Sequence, residues 1–299
     1  LWIQLDSNAE LYFKVKFGKK ISSLAGKVVW ITGASSGLGR SLAILLASHG
    51  IKLVLSARRV DELNKVQQNC LNAARGQLQV KDILVLRMDV LEINKHEELL
   101  EIVIKNFGHL DILVSNAGRS LRADWVNIDL DVDKAVFDLD VFCPVHLARI
   151  VIRYFLKNKI DGHIAVTSSS SSLTPTPNMS SYIAAKSAIN AYFHALNMDY
   201  PQIKTTIYCI GPFFSKIQEE AFTGRLGEKY GVSINSINTL QRMSPERSAF
   251  LFAVAIANEI SMCWAGLYPF NFMVYLKNYP SLYNIAVNIF NWRDCIAKH

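Results

Sequence analysis

A chain of 299 residues, 51% hydrophobic and 19% charged, can bury a large core and is too apolar to stay disordered. Its net charge of +7 permits attraction to phosphate groups or an anionic surface. Aromatic residues do not interleave with a lysine/arginine stripe, so no nucleic-acid partner is expected. Five scattered cysteines, Cys70, Cys143, Cys209, Cys263 and Cys295, form no Cys-x-x-Cys pair and have no histidine at ligand spacing, so neither a disulfide framework nor a metal site is implied. No apolar run is long enough to span a bilayer, and the chain opens at Leu1 without a methionine, which points to a segment removed upstream.

In chain order, residues 1–25 read as an N-terminal extension and residues 26–299 as one domain. Apolar bursts then alternate with helix-period segments, the pattern of repeated βα units. Strands are expected at Lys27–Thr32, Lys52–Ala57, Asp82–Met88, Asp111–Asn116, His163–Ser168 and Lys204–Ile210, their near-continuous apolar character suiting a parallel sheet covered on both faces. Helices are expected over Arg40–His49, Val60–Ala74, Lys95–Phe107, Val132–Lys157 and Ser181–Asp199. The expected fold is α/β, a Rossmann-type doubly wound parallel sheet in three layers. Residues 213–243 loosen into a polar, glycine-punctuated stretch read as a lid. A helix starts at Ser244-Pro245-Glu246, where serine can cap and proline fits the first turn. The aromatic stretch Met262–Trp292, broken by Pro269 and Pro280, reads as a last strand with core packing, or else as a substrate wall or a membrane-surface patch.

The segment TGASSGLG follows the first strand and opens the first helix. Glycines at 33, 37 and 39 allow a tight turn and close backbone approach, so Gly33, Ser35, Ser36, Gly37, Leu38 and Gly39 can cradle a pyrophosphate on helix N–H groups. The second strand ends in Arg58-Arg59, where an NAD-binding chain would place a carboxylate on the ribose 2′-hydroxyl. Two arginines there suggest a 2′-phosphate, hence NADP(H), against the alternative of a solvated helix start. Asp89 and Val90 end the third strand, with Asp89 placed to bond the adenine or to cap the strand end. Asn116, Ala117 and Gly118 close the fourth strand against the same cleft.

Three Tyr-x-x-x-Lys pairs occur, Tyr12/Lys16, Tyr182/Lys186 and Tyr200/Lys204. Tyr12 precedes the first strand and Tyr200 precedes Pro201, which disfavours the helical geometry that aligns such a pair. Tyr182 and Lys186 share a helix face behind five consecutive serines, Ser168 to Ser172. A lysine ammonium beside a phenol stabilises the phenolate, which makes proton exchange at neutral pH feasible.

TGASSGLG, SNAG (Ser115 to Gly118), Ser169, YIAAK (Tyr182 to Lys186) and IGPFFS (Ile210 to Ser215) resemble, in order and spacing, the short-chain dehydrogenases/reductases. The resemblance implies an NADP(H)-dependent oxidoreductase that interconverts a carbonyl and an alcohol. Tyr182 would be the proton donor, Lys186 would also hold the nicotinamide ribose, Ser169 would polarise the carbonyl, and Gly211 and Ser215 would meet the nicotinamide. Ser168 and Ser170 stay open as alternatives, because a one-residue register shift reverses which serine faces the cleft. Asp140 stands where the family usually has a proton-relaying asparagine, and its charge would compete for Lys186 and keep the tyrosine protonated. Cys143, Ile210 and Ser115 are further departures. Finer matches, LVLSARRVDEL and DILVLRMDV, resemble a membrane-associated subgroup, which implies attachment to the endoplasmic reticulum membrane and an apolar substrate such as a retinoid or steroid, while the family resemblance implies a homodimer or a tetramer. The departures equally suit a catalytically attenuated cofactor-binding sensor or scaffold. Asn178-Met179-Ser180 is a glycosylation sequon beside the proposed site and is expected to be unmodified.

Overall fold

The computed structural model describes residues 6–214, 218–232 and 242–290. Among these, the strands β1 (Val28–Thr32), β2 (Lys52–Ala57), β3 (Ile83–Arg87), β4 (Ile112–Ser115), β5 (His163–Ser169), β6 (Lys204–Ile210) and β7 (Met262–Ala265) form one sheet in the order 3-2-1-4-5-6-7. Each neighbouring pair is parallel. The expected doubly wound sheet is therefore present, and β7 comes from the aromatic C-terminal stretch.

Side chains of β1 alternate between two cores, as the two-residue strand period requires. Val29 and Ile31 join the core under α2 (Gly37–Ala47), α3 (Val60–Ala74) and α8 (Pro245–Ala257). Val28 and Trp30 join the core under α4 (His96–Phe107), α5 (Leu130–Phe137), α6 (Cys143–Asn158) and α7 (Ser180–Asp199). Strand order reverses beside β1, between it and β4, which opens a crevice at the carboxyl ends of the two strands. The glycine turn and Asn116 lie there.

The expected helix Val132–Lys157 is interrupted. A π turn, Asp138–Phe142, separates α5 from α6, and the Cys143 N–H reaches back to Asp138 O. Pro144 explains it, since proline donates no N–H and its ring collides with the carbonyl four residues back, that of Asp140. The remaining helices match the sequence reading to within a few residues. At α8 the Ser244 hydroxyl accepts from Arg247 N at 3.1 Å, as the serine-proline start predicted.

The first described residues are tied to β7 and α8. Asn8 N donates to Trp264 O at 2.9 Å, and Asp6 takes a two-pronged contact from Arg247, 2.6 Å from Nε and 3.2 Å from Nη2. The helix α1 (Ala9–Phe17) buries Leu11 in the core beneath α8. Of the three readings of the C-terminal stretch, packing is observed: α9 (Phe270–Leu276) and α10 (Pro280–Ile289) close a small core of Phe270, Met273, Val274, Ala286 and Val287 against Leu173 and Trp264.

His163 opens β5 and is buried, its Nε2 2.9 Å from Thr206 Oγ1. Burial, with lesser repulsion from Lys204 and Lys27, pushes its pKa down to about 3. In the unfolded chain the imidazole takes up its proton near the usual value of about 6.5. Between these values the unfolded state binds one proton more, so stability falls as pH falls, by about 1.4 kcal/mol per pH unit. Urea denaturation from pH 6.5 downward is expected to show this slope, and His163→Gln to flatten it by about that amount.

Candidate active site

The turn after β1 is built for close approach. Gly33 has φ +67°, and a Cβ on it would lie 2.9 Å from Ala117 Cα; a Cβ on Gly39 would lie 2.6 Å from both Asn116 Nδ2 and Gly33 O. The first N–H groups of α2, those of Gly37, Leu38 and Gly39, have no carbonyl four residues back within the helix and point out of its N-terminus. Ser36 precedes them as N-cap residue without a side-chain cap, and Leu38 anchors the turn in the core. A pyrophosphate fits this cradle on backbone donors alone.

Asn116 clamps the turn to its neighbours. Its Nδ2 donates to Thr32 O at 3.1 Å and Gly33 O at 3.4 Å, while its Oδ1 accepts from Thr167 Oγ1 at 3.1 Å. Thr32 Oγ1 accepts from Asn116 N at 3.0 Å and Ala117 N at 3.1 Å. Three strand ends are thus locked around one asparagine. At the end of β2, Arg59 Nη2 donates to Ser35 Oγ at 3.2 Å, which places one of the two arginines over the turn; Arg58 is exposed beside it. Asp89 Oδ1 accepts from Leu91 N at 3.1 Å, the local capping contact that the sequence left as its second option. Val90 lines a small cavity with Thr32, Ser115, Ala117 and Cys143.

The reacting end assembles on α7, β5 and the π turn. Tyr182 and Lys186 lie one turn apart on the buried face of α7, and Lys186 Nζ is 5.6 Å from the Tyr182 ring centroid. Lys186 Nζ also donates to Thr167 O at 3.2 Å and pairs with Asp140 Oδ1 at 3.0 Å. Both side chains are almost wholly buried, Lys186 being 6% exposed and Asp140 1%. The π turn swings the carboxylate inward, and Arg119 N approaches its two oxygens at 3.4 and 3.5 Å.

Charge at this site is set by burial and by that pair. Burial pushes the Asp140 carboxyl up against the pull of Lys186. It also pushes the Tyr182 phenol up; Lys186 and a hydrogen bond from Ser169 work against this, and Asp140 adds to the rise. Burial opposes the Lys186 charge, yet Asp140 and Tyr182 together hold the ammonium pKa above its ordinary value.

The three serines part company. Ser169 Oγ accepts from Ser171 N at 3.1 Å and meets the Tyr182 phenol. Ser168 Oγ donates instead to Lys186 O at 3.4 Å, while Ser170 is buried and begins the short turn after β5. Of the rival pairs, Tyr12/Lys16 is a surface contact of 4.6 Å on α1, and Tyr200 sits at the C-terminal end of α7. Gly211 N donates to Ala265 O at 2.6 Å, and a Cβ there would lie 2.7 Å from the same oxygen, so this glycine is required by packing against β7. Ser215 lies outside the described residues. Sequence reasoning passed over Thr32, Thr167 and Arg122. The first two act through a hydroxyl or a carbonyl that no motif marks, and Arg122 follows β4 on an irregular segment.

Gly118 is where the pair meets the chain. A Cβ there would lie 2.4 Å from Asp140 Oδ1 and 3.4 Å from Lys186 Nζ. Gly118→Ala must displace the carboxylate, and a loss of about 1–3 kcal/mol in urea denaturation is expected, as for other overpacked sites. An unchanged midpoint would show that the carboxylate is free to move.

Comparison with known proteins places this geometry. Residues 27–224 match the family model of short chain dehydrogenases. Human dehydrogenase/reductase SDR family member 7 is 35% identical over 259 residues, 86% of this chain and 75% of that protein. An 11-beta-hydroxysteroid dehydrogenase A of Sesamum indicum is 37% identical over 67% of this chain and 56% of its own length. Among solved structures, a short chain dehydrogenase/reductase of Burkholderia phymatum in complex with NAD superposes with TM-score 0.70 at 24% identity, covering 81% of this chain and 89% of that one. An alcohol dehydrogenase of Thermococcus sibiricus complexed with 5-hydroxy-NADP gives TM-score 0.65 at 22% identity, over 76% and 88%. A strand–glycine turn–helix cradle and a buried tyrosine–lysine pair, in a chain so matched, make it a member of the short-chain dehydrogenase/reductase family of oxidoreductases.

Proposed function

We propose that the protein is an NADP(H)-dependent oxidoreductase interconverting a carbonyl and an alcohol on an apolar substrate. The observation that carries this reading is the buried Tyr182 phenol with Ser169 on one side and the Lys186 ammonium on the other. When bound, the nicotinamide cofactor supplies or accepts the hydride. Tyr182 passes a proton to the substrate oxygen or takes one from it, Ser169 Oγ polarises that oxygen, and Lys186 stabilises the phenolate left behind. The glycine turn, Asn116 to Gly118 and Lys186 would hold the cofactor. Arg59 over Ser35, with Arg58 beside it, favours a 2′-phosphate. The likeness to an 11-beta-hydroxysteroid dehydrogenase supports a steroid-sized substrate. Membrane attachment and a homodimer belong to the same reading, on the likeness to the member 7 relatives.

Burial raises the phenol pKa most, and Asp140 adds to that rise. By pairing with Lys186 it keeps the phenol protonated at neutral pH, the form that donates to a nascent alkoxide, and so suits carbonyl reduction better than alcohol oxidation. The same 3.0 Å pair is the observation that favours a second reading, a cofactor-binding protein with attenuated catalysis.

Tyr182→Phe is expected to lower NADPH-dependent reduction of an aldehyde and ketone panel by about 10²-fold or more, the usual worth of a positioned acid. Equal activity in wild type and variant sinks the assignment. Asp140→Asn is expected to raise alcohol oxidation at neutral pH by about tenfold and to move its alkaline limb to lower pH, since a charge that raises the phenol pKa is removed. No turnover in either form despite tight NADPH binding would favour the attenuated protein. Calorimetric titration is expected to show tighter binding of NADPH than NADH, with the difference narrowed in Arg59→Ala.

A further inference from the structure

Helix α1 carries apolar side chains on two opposite sides. Leu11 lies in the core beneath α8 and Val15, one turn on, packs against that core. Phe13 and Phe17 are also one turn apart, but they point the other way and are 57% and 71% exposed. Their ring centroids are 4.9 Å apart, so the two form one aromatic crest on the outside of the molecule. Single exposed apolar side chains are ordinary, whereas a paired crest is an apolar surface for which the fold supplies no cover.

Lysines frame this crest. Helical spacing puts Lys14 on one flank of the rings and Lys16 on the other, and the exposed Lys19 and Lys20 follow the end of the helix. Lys14 and Lys16 suit the negative end of their helix, but Lys19 and Lys20 lie past its last turn and gain little from it. Between Glu10 and Asp61 the chain has no acidic residue. Of the acids brought near by folding, Asp6 is taken by Arg247, and Glu259, next to Asn258, pairs with Lys204 at 3.6 Å.

The patch is rigidly mounted. Lys19 N donates to Asn258 Oδ1 at 2.7 Å, and Asn258 Nδ2 donates back to Lys19 O at 3.0 Å. A Cβ on Gly18 would lie 2.3 Å from Asn258 Oδ1, so the clamp needs glycine there. Asn258 ends α8 just ahead of β7, which puts the patch at the amino ends of the parallel strands. The cofactor crevice opens at their carboxyl ends, on the opposite side of the sheet.

We propose that the aromatic and basic face of α1 is a docking surface for an anionic lipid bilayer. Phe13 and Phe17 enter the boundary between headgroups and acyl chains, and Lys14, Lys16, Lys19 and Lys20 meet the lipid phosphates and carboxylates. Apolar burial and attraction to anionic lipid add together in such surfaces. Lysine is depleted from protein–protein interfaces, and a second copy docked face to face would set like charges against each other, so a bilayer fits better than a protein. The proposal deepens the membrane attachment put forward above by giving it a surface. Docked this way, the crevice faces the water from which a charged dinucleotide arrives.

Cosedimentation of the 299-residue chain with lipid vesicles tests this. Wild type is expected to bind vesicles of phosphatidylcholine and phosphatidylserine in equal parts about tenfold or more tightly than vesicles of phosphatidylcholine alone, and to be released by high salt. Phe13→Ser with Phe17→Ser, and separately Lys19→Glu with Lys20→Glu, are each expected to weaken binding to the mixed vesicles by about tenfold or more. All four side chains are exposed, so both variants are expected to keep the wild-type melting temperature and NADPH binding. Lys105→Glu with Lys157→Glu changes the net charge equally on another surface, and Leu282→Ser with Ile285→Ser removes exposed apolar side chains from α10; both are expected to retain binding. No preference for the anionic vesicles, or an equal loss in either of these last two variants, would overturn the proposal. So would a phenylalanine variant that turns a dimer into a monomer while vesicle binding persists, since the face would then belong to a second copy. Wild-type binding that survives both α1 variants removes this surface and leaves membrane attachment through another segment standing. Activity plays no part in the readout, so failure of the Tyr182→Phe assay would leave the vesicle result untouched.

Discussion

The site depends on a buried ion pair, Lys186 Nζ to Asp140 Oδ1 at 3.0 Å. Removing one member of such a pair leaves an uncompensated charge in a medium that solvates it poorly, which is why its two ends hold separate elements together so firmly. Lys186 comes from α7 and Asp140 from the π turn, and the backbone of Gly118 and Arg119 at the end of β4 closes over them. The pair therefore does structural work before any chemistry begins. It fixes the distance between the helix that carries the phenol and the strand ends that face the cofactor crevice.

The pair also sets a chemical compromise. An ammonium devoted wholly to Tyr182 would favour phenolate, whereas one shared with a carboxylate favours the neutral ring. The protein holds Lys186 charged by giving it Asp140, Thr167 O and the phenol as partners. Burial and that sharing together keep the phenol a donor. Ser169 adds a hydrogen bond from the end of β5, so the phenol is met by Ser169 and Lys186 from two rigid elements.

Much of this was legible from residue types. Strand and helix positions followed from apolar periodicity, since strands buried on both faces must read as continuous apolar runs. Tyr182/Lys186 was selected over the other two because Tyr12 precedes the first strand and Pro201 disfavours the helical geometry that would align Tyr200 with Lys204. The continuous helix expected over Val132–Lys157 failed at Pro144. Periodicity shows which face a helix buries, but it does not show how the chain accommodates a missing N–H, and here the answer was one wider turn. Asp89 was ambiguous for a related reason, because a carboxylate at a strand end can serve a ligand or its own backbone, and only its distance to Leu91 N tells which contact it makes.

The residues by themselves determined the architecture, the glycine turn and the helical pairing of phenol and ammonium. These are local matters of backbone freedom, periodicity and spacing, and they survive without knowing what lies opposite. Tertiary structure alone decided that Ser168 turns to Lys186 O while Ser169 meets the phenol, that a π turn carries Asp140 to Lys186, and that Gly211 is needed against β7. Each of those depends on distances between segments far apart in the chain, and burial then multiplies the energetic consequence of every such distance.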